Sequence, residues 1–114
     1  MYSFYTETSF SLIGENNMLH MVVATHGPDT CAAVIPEVTA VAKAGFQQIG
    51  EAAEKLGITV QGMWTNMTAH TIYILVDAPN AHVVSQLFRD IHLMDWNTVV
   101  VNPVLTIEQV MESL

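Results

Sequence analysis

The chain has 114 residues, 51% of them hydrophobic and only 12% charged, with eleven acidic side chains against three basic ones and a net charge of −8. That length suits one domain with a single modest core, and the apolar content excludes disorder. The only cations are Lys43, Lys55 and Arg89, too few for phosphate binding, so neither nucleic acid nor an anionic membrane is expected as a partner.

Cys31 stands alone, which rules out an intrachain disulfide and a secretory disulfide framework. The opening stretch MYSFYTETSFSLIGENN lacks the basic start and continuous apolar run of a signal peptide. No segment approaches the roughly 18 apolar residues of a membrane span. The expectation is a soluble cytoplasmic protein. The polar run Gly14–Asn17 marks a boundary, so residues 1–17 are expected as a loosely held N-terminal arm and residues 18–114 as the domain. Met18 is an alternative start. Phe10, Leu12 and Ile13 are apolar enough to dock on the domain or add an edge strand.

In chain order, LHMVVAT over 19–25 reads as a first strand, ended by His26-Gly27-Pro28-Asp29. Asp29 or Thr30 can cap a helix running to about Leu56, with Gly57 as its left-handed stop. Val34, Val38, Val41, Gly45, Gln48, Ala52 and Leu56 form a helical stripe. Ile35, Ala42, Phe46, Ile49 and Ala53 widen it. Pro36 either kinks this helix or starts it afresh, leaving 29–35 as a separate turn. Gly45 lies on the stripe, where close approach to the sheet would account for it.

Strands over 58–66 and 71–77 then make a hairpin around Met67-Thr68-Ala69-His70. Asn80 caps a second helix carrying Val84, Leu87, Phe88 and Ile91 at helical spacing. Residues 97–104 form the last strand, and Thr106 with Gln109 makes a capping box for a short tail helix.

This order, βαββαβ, is the ferredoxin-like pattern of the α+β class. It implies an antiparallel sheet of order 4-1-3-2 with its helices on one face. Strand parity gives Ile72, Ile74 and Val76 to the helices and Thr71, Tyr73 and Leu75 to the open face. On the second strand it sets Ile58, Val60, Gly62 and Trp64 against Thr59, Gln61, Met63 and Thr65, which puts Trp64 and Tyr73 on opposite faces. A solvated open face would alternate with charges, and these four strands carry essentially none, so both faces read as too apolar for water. A sheet apolar on both faces must be covered twice, most simply by a second copy of the chain. Two such sheets packed face to face give a homodimeric barrel.

The runs MLHMVVATHG, EKLGI, VQGMW…IYILVDAPN and VVVNPVLT are similar to the dimeric α+β barrel superfamily, and within it to small bacterial and environmental domains without an assigned function. The resemblance covers about residues 18–110. It implies a dimer and a shared fold with muconolactone isomerase-like enzymes, cofactor-independent monooxygenases, haem-degrading enzymes, chlorite-dismutase-like proteins and ligand-sensing domains. Fold does not choose among these activities.

One edge of the sheet is expected to gather His26, Asn66, His70, His92, Asp95 and Trp96. Imidazoles near a carboxylate suit proton transfer or metal binding, so His26, His70 and His92 are the candidate catalytic groups. The simpler reading makes them polar loop residues, with His92 favourable at a helix C-terminus. None has the close spacing of a metal motif, and no glycine-rich phosphate loop is present. No metal and no cofactor is therefore expected. Trp64, Asn66, Tyr73 and Arg89 match the residue types that the superfamily's monooxygenases set around a phenolic substrate. With Met63 they are the candidate ligand-binding residues, against plain core packing for the aromatics. Met21, Met63, Met67 and Met94 suit an adaptable apolar cavity or ordinary core filling. His20 reads as a hydrogen-bonded strand residue, and Cys31 as an inert thiol.

The expected function is binding of a small apolar molecule by a homodimer. The alternatives are a cofactor-independent monooxygenase or an isomerase acting on an aromatic or lactone substrate, and a purely structural module.

Overall fold

A computed structural model describes residues 16–114; most of the expected arm, with Phe10, Leu12 and Ile13, lies outside the described residues. The elements are β1 (Met18–Thr25), α1 (Pro36–Lys55), β2 (Thr59–Asn66), β3 (Thr71–Ala78), α2 (Ala81–Asp90), β4 (Thr98–Val104) and α3 (Ile107–Ser113), with short 3-10 turns at Pro28–Thr30, Met67–Ala69 and Leu93–Asp95. The four strands form one antiparallel sheet in the order β2-β3-β1-β4. That is the expected order read from the other edge, and the class is α+β.

The helices cover one face. Val22 and Ala24 of β1 and Ile74 and Val76 of β3 are fully buried there against Val84, Leu87 and Phe88 of α2 and Ala42, Ile49 and Ala53 of α1. Asn80 caps α2 by accepting a hydrogen bond from the Val83 N–H at 2.9 Å. The Thr106–Gln109 capping box of α3 closes in both directions.

The first helix departs from expectation at its start. No continuous helix runs from Asp29 or Thr30; a single 3-10 turn covers Pro28–Thr30, and α1 begins at Pro36. Proline holds the residue before it extended, and Ile35 is so, while its own fixed φ and missing N–H suit a first helical position. The Thr39 hydroxyl reaches back to the Ala32 carbonyl and ties the connecting loop to the helix. At the other end the Ile58 N–H bonds the Ala53 carbonyl and the Gly57 N–H that of Glu54. With Gly57 at φ +72°, this is a Schellman stop.

The buried row of α1 is Ala42, Gly45, Ile49 and Ala53, whereas Val34, Val41 and Gln48 are exposed. The expected stripe is thus rotated toward its small-residue flank. A Cβ on Gly45 would overlap the backbone carbonyl of Ile91. The close approach is to the end of α2, not to the sheet, and small residues bring the two helices together.

The second strand carries the main correction. Val60 opposes Val76 but Gly62 opposes Leu75, so the ladder is interrupted at Gln61. One extra residue reverses the parity of all that follows. Met63 and Thr65 therefore sit opposite Ile74 and Ile72 on the helix face, while Gly62 and Trp64 sit opposite Leu75 and Tyr73 on the open face. Trp64 and Tyr73 are cross-strand neighbours and not on opposite faces. A Cβ on Gly62 would overlap the Trp64 ring, so the indole lies over the glycine.

The row Trp64–Tyr73–Val23–Val100 crosses the whole open face in register. Trp64 is 55%, Tyr73 38% and Val100 51% exposed. Asp77, the single charged side chain of the four strands, is buried near one end of this face.

Gly45→Ala is expected to destabilise the fold by about 1–3 kcal/mol, since the added methyl meets backbone and cannot be accommodated by a rotamer change. Gly50→Ala, with open space around it, is expected to stabilise by up to about 1 kcal/mol through helix propensity. Urea unfolding of the two variants reads both signs.

Candidate functional site

The ladders that hold β1 also bring the candidate residues together. Thr25 is the last residue of β1 paired on both sides, opposite Thr71 and Thr98. One step further, His26 stands beside His70 and Asn97. The His26 N–H donates to the His70 carbonyl at 3.2 Å, and the two imidazoles meet edge to face with centroids 5.3 Å apart. The Trp96 ring lies 5.1 Å from His26 on another side.

The Asn97 amide nitrogen donates to the Leu93 carbonyl at 3.2 Å, which turns its oxygen toward His26. That oxygen lies 2.8 Å from His26 Nδ1, so Nδ1 carries the proton and donates. In the neutral ring Nε2 is then the acceptor nitrogen.

His70 owes its place to the hairpin turn. It adopts a left-handed backbone, φ 50° and ψ 46°. Asn66 fixes the turn before it, accepting from the Ala69 N–H at 3.2 Å and from the Thr68 hydroxyl at 2.7 Å. The Nδ1 of His70 is buried and has no hydrogen-bond partner among the described residues.

Cys31, buried in the loop before α1, completes the group. Its sulfur and one ring nitrogen from each of His26 and His70 all lie within 4.8 Å of one another.

These side chains line a cavity of about 720 Å3 between the start of α1 and the turn end of β2 and β3. Ala42 and Phe46 of α1, Met63 and Met67 from the hairpin, Ile72 and Trp96 supply apolar walls, and Thr39, Lys43, Gln47 and Thr65 add polar atoms. Trp64, on the edge strand, borders this cavity as well as the open face.

Residues 18–114 match the family described as a domain of unknown function, DUF3303. The chain belongs to the DUF3303 family. No curated protein matches it.

Other candidates of this DUF3303 domain sit elsewhere. His92 pairs with Asp95 at 3.0 Å, both about two-thirds exposed. With Arg89 and Asp90 it borders a second, smaller depression of about 490 Å3 along the outer side of α1. The expected single cluster is therefore split, because His92, with φ 63°, turns away from the cavity where Trp96 enters it. Tyr73 lies on the open face, and Asn66 serves its own turn. Met21 also faces the open side, and Met94 packs on the core. His20 is fully buried in β1 with Nδ1 2.9 Å from the Met18 carbonyl.

Asn97 was not among the sequence candidates, and Cys31 read as inert. The signal for Asn97 lay in the ladder: the step that pairs Thr25 with Thr98 also sets His26 beside Asn97. Cys31 sits in an irregular loop, where no periodicity gives its direction.

Asn66→Ala removes the acceptor that holds the turn and is expected to lower stability by about 1 kcal/mol. Thermal melting of the variant beside wild type checks this.

Proposed function

We propose that this chain binds a small, largely apolar, aromatic-sized molecule in the cavity beside His26 and His70, as a homodimer closed through the open sheet face in the manner of a ferredoxin-like α+β barrel. The observation that carries the reading is the cavity itself. Its volume of about 720 Å3 falls within the range of about 300–1,000 Å3 usual for small-molecule sites, with apolar walls and a few convergent polar groups. Met63 and Met67 give the walls adaptable surface. A purely structural module leaves such a cavity without a use.

One observation favours a second reading, an isomerase or cofactor-independent monooxygenase acting on an aromatic or lactone substrate. A general base must be positioned by a third group, and His26 is held by Asn97 in the tautomer that leaves Nε2 basic. In that reading His26 takes the proton and His70 hydrogen-bonds the substrate oxygen. His92, 64% exposed and paired with Asp95, has no part in it.

For the dimer, the support is the Trp64–Tyr73–Val23–Val100 row, a band of apolar surface continuous across four strands. Contiguous apolar surface of this kind marks an interaction site.

Naphthol, an aromatic probe with one polar group, is expected to raise the melting temperature. Saturation at about 100 times its Kd corresponds to about 2.7 kcal/mol. The effect should shrink in His26→Ala and His70→Ala. No shift with naphthol or any similar apolar probe sinks the binding reading.

Sedimentation is expected to show a dimer for wild type at micromolar concentration, and a monomer for the double variant Trp64→Asp, Val100→Asp. A monomeric wild type overturns the interface.

A further inference from the structure

We infer that His26, Cys31 and His70 form a binding site for a borderline-soft divalent transition metal, zinc by preference, with one coordination position turned to the cavity. The inference goes beyond the apolar-ligand reading and rests on these side chains alone.

The donor set comes first. Two imidazoles and a thiolate suit zinc and related ions and do not suit calcium or magnesium, which take oxygen ligands. Three protein ligands with an open fourth position are the arrangement of reactive, exchangeable zinc sites, whereas closed structural sites supply all four.

The spacing comes next. The three donor atoms lie within 4.8 Å of one another. A tetrahedral zinc with bonds of about 2.0 Å to nitrogen and 2.3 Å to sulfur holds its ligand atoms about 3.5 Å apart. A contraction of roughly 1 Å therefore closes the site. Cys31 and His70 stand in a loop and a turn, where side-chain rotation can supply that movement without shifting the sheet.

Two further observations point to a ligand at this position. His70 Nδ1 is buried with no hydrogen-bond partner among the described residues, a state that native structures rarely leave without an ion or a water. His26 donates from Nδ1 to Asn97, whose amide is itself held by the Leu93 carbonyl. Metal-binding imidazoles characteristically donate their other nitrogen to such a partner, which fixes the ring and its tautomer. The spacing in sequence conceals the group: His26 and Cys31 flank one loop, and His70 reaches them only through the β1–β3 ladder.

Binding deprotonates the thiol, so each ion releases protons and affinity falls as the medium is acidified. The proton from Sγ goes to solvent, and no electron transfer is involved.

The test uses the full chain, stripped with a chelator and titrated with Zn2+ and, as a spectroscopic probe, Co2+. One ion per chain is expected, with the ultraviolet charge-transfer band of a cobalt–thiolate bond. That band reads the Cys31 sulfur in wild type without any variant. Cys31→Ser should abolish it. His26→Ala and His70→Ala should each weaken Zn2+ binding at least about tenfold, and Asn97→Ala by about 10–100-fold. Melting curves recorded without metal show that each variant is folded, and His92→Gln should bind as wild type does. Absence of a bound ion in wild type overturns the site. So does a cobalt complex without the thiolate band, or uptake lost only in His92→Gln, which would place the ion at the His92–Asp95 pair. Naphthol binding, measured on metal-free protein, succeeds or fails independently.

Discussion

The position of β1 between two antiparallel neighbours governs the rest of this molecule. Paired with β3 on one side and β4 on the other, it has its backbone groups satisfied along both edges, and alternate side chains at 20, 22 and 24 are fully buried. A slip of one residue in either ladder would carry those three to the open face. The register is therefore tightly held, and whatever follows Thr25 is held with it. His26 inherits that precision: it is the first residue past the paired stretch, with His70 delivered by one ladder and Asn97 by the other. For the ligand proposed above, His26 would thus be ordered by the sheet in advance.

The second strand shows how one residue redistributes chemistry between two surfaces. Gln61 is the extra residue of the bulge, and beyond it Met63 and Thr65 turn toward the cavity while Trp64 turns to the open face. Without it the indole would be pressed into the space beneath α1, and the thioether of Met63 would lie outside. Gly62 then accommodates the displaced ring, which covers the glycine backbone on the open side.

Much of the fold was legible because its signals are local. Asn80, Gly57 and the Thr106–Gln109 pair act within a few residues of themselves, and each cap forms as its sequence indicates. The alternation of Ile72, Ile74 and Val76 needed only an uninterrupted strand. Long-range choices were harder. Whether Pro36 kinks or starts a helix depends on how the loop from Cys31 packs, and the burial of α1 on its alanine and glycine flank depends on how near α2 comes. The glycine inside β2 was the available hint of a bulge, but an unbroken parity count passes over it. At the site, His26, His70 and Trp96 could be placed together from topology, whereas His92 could not be separated from them without knowing its backbone twist.

The two edges of the sheet also differ from its faces in what they permit. Among the described residues, β2 and β4 are the outer strands. One carries the bulge, and the other carries Pro103, which has no N–H to offer a further strand. Bulges and prolines are the devices by which sheets refuse edge-on extension. Edge-on stacking of the open-ended kind that leads to fibrils is thereby disfavoured at both outer strands. The homodimer proposed above would use a finite surface instead, the apolar face, where a two-fold contact closes after one partner.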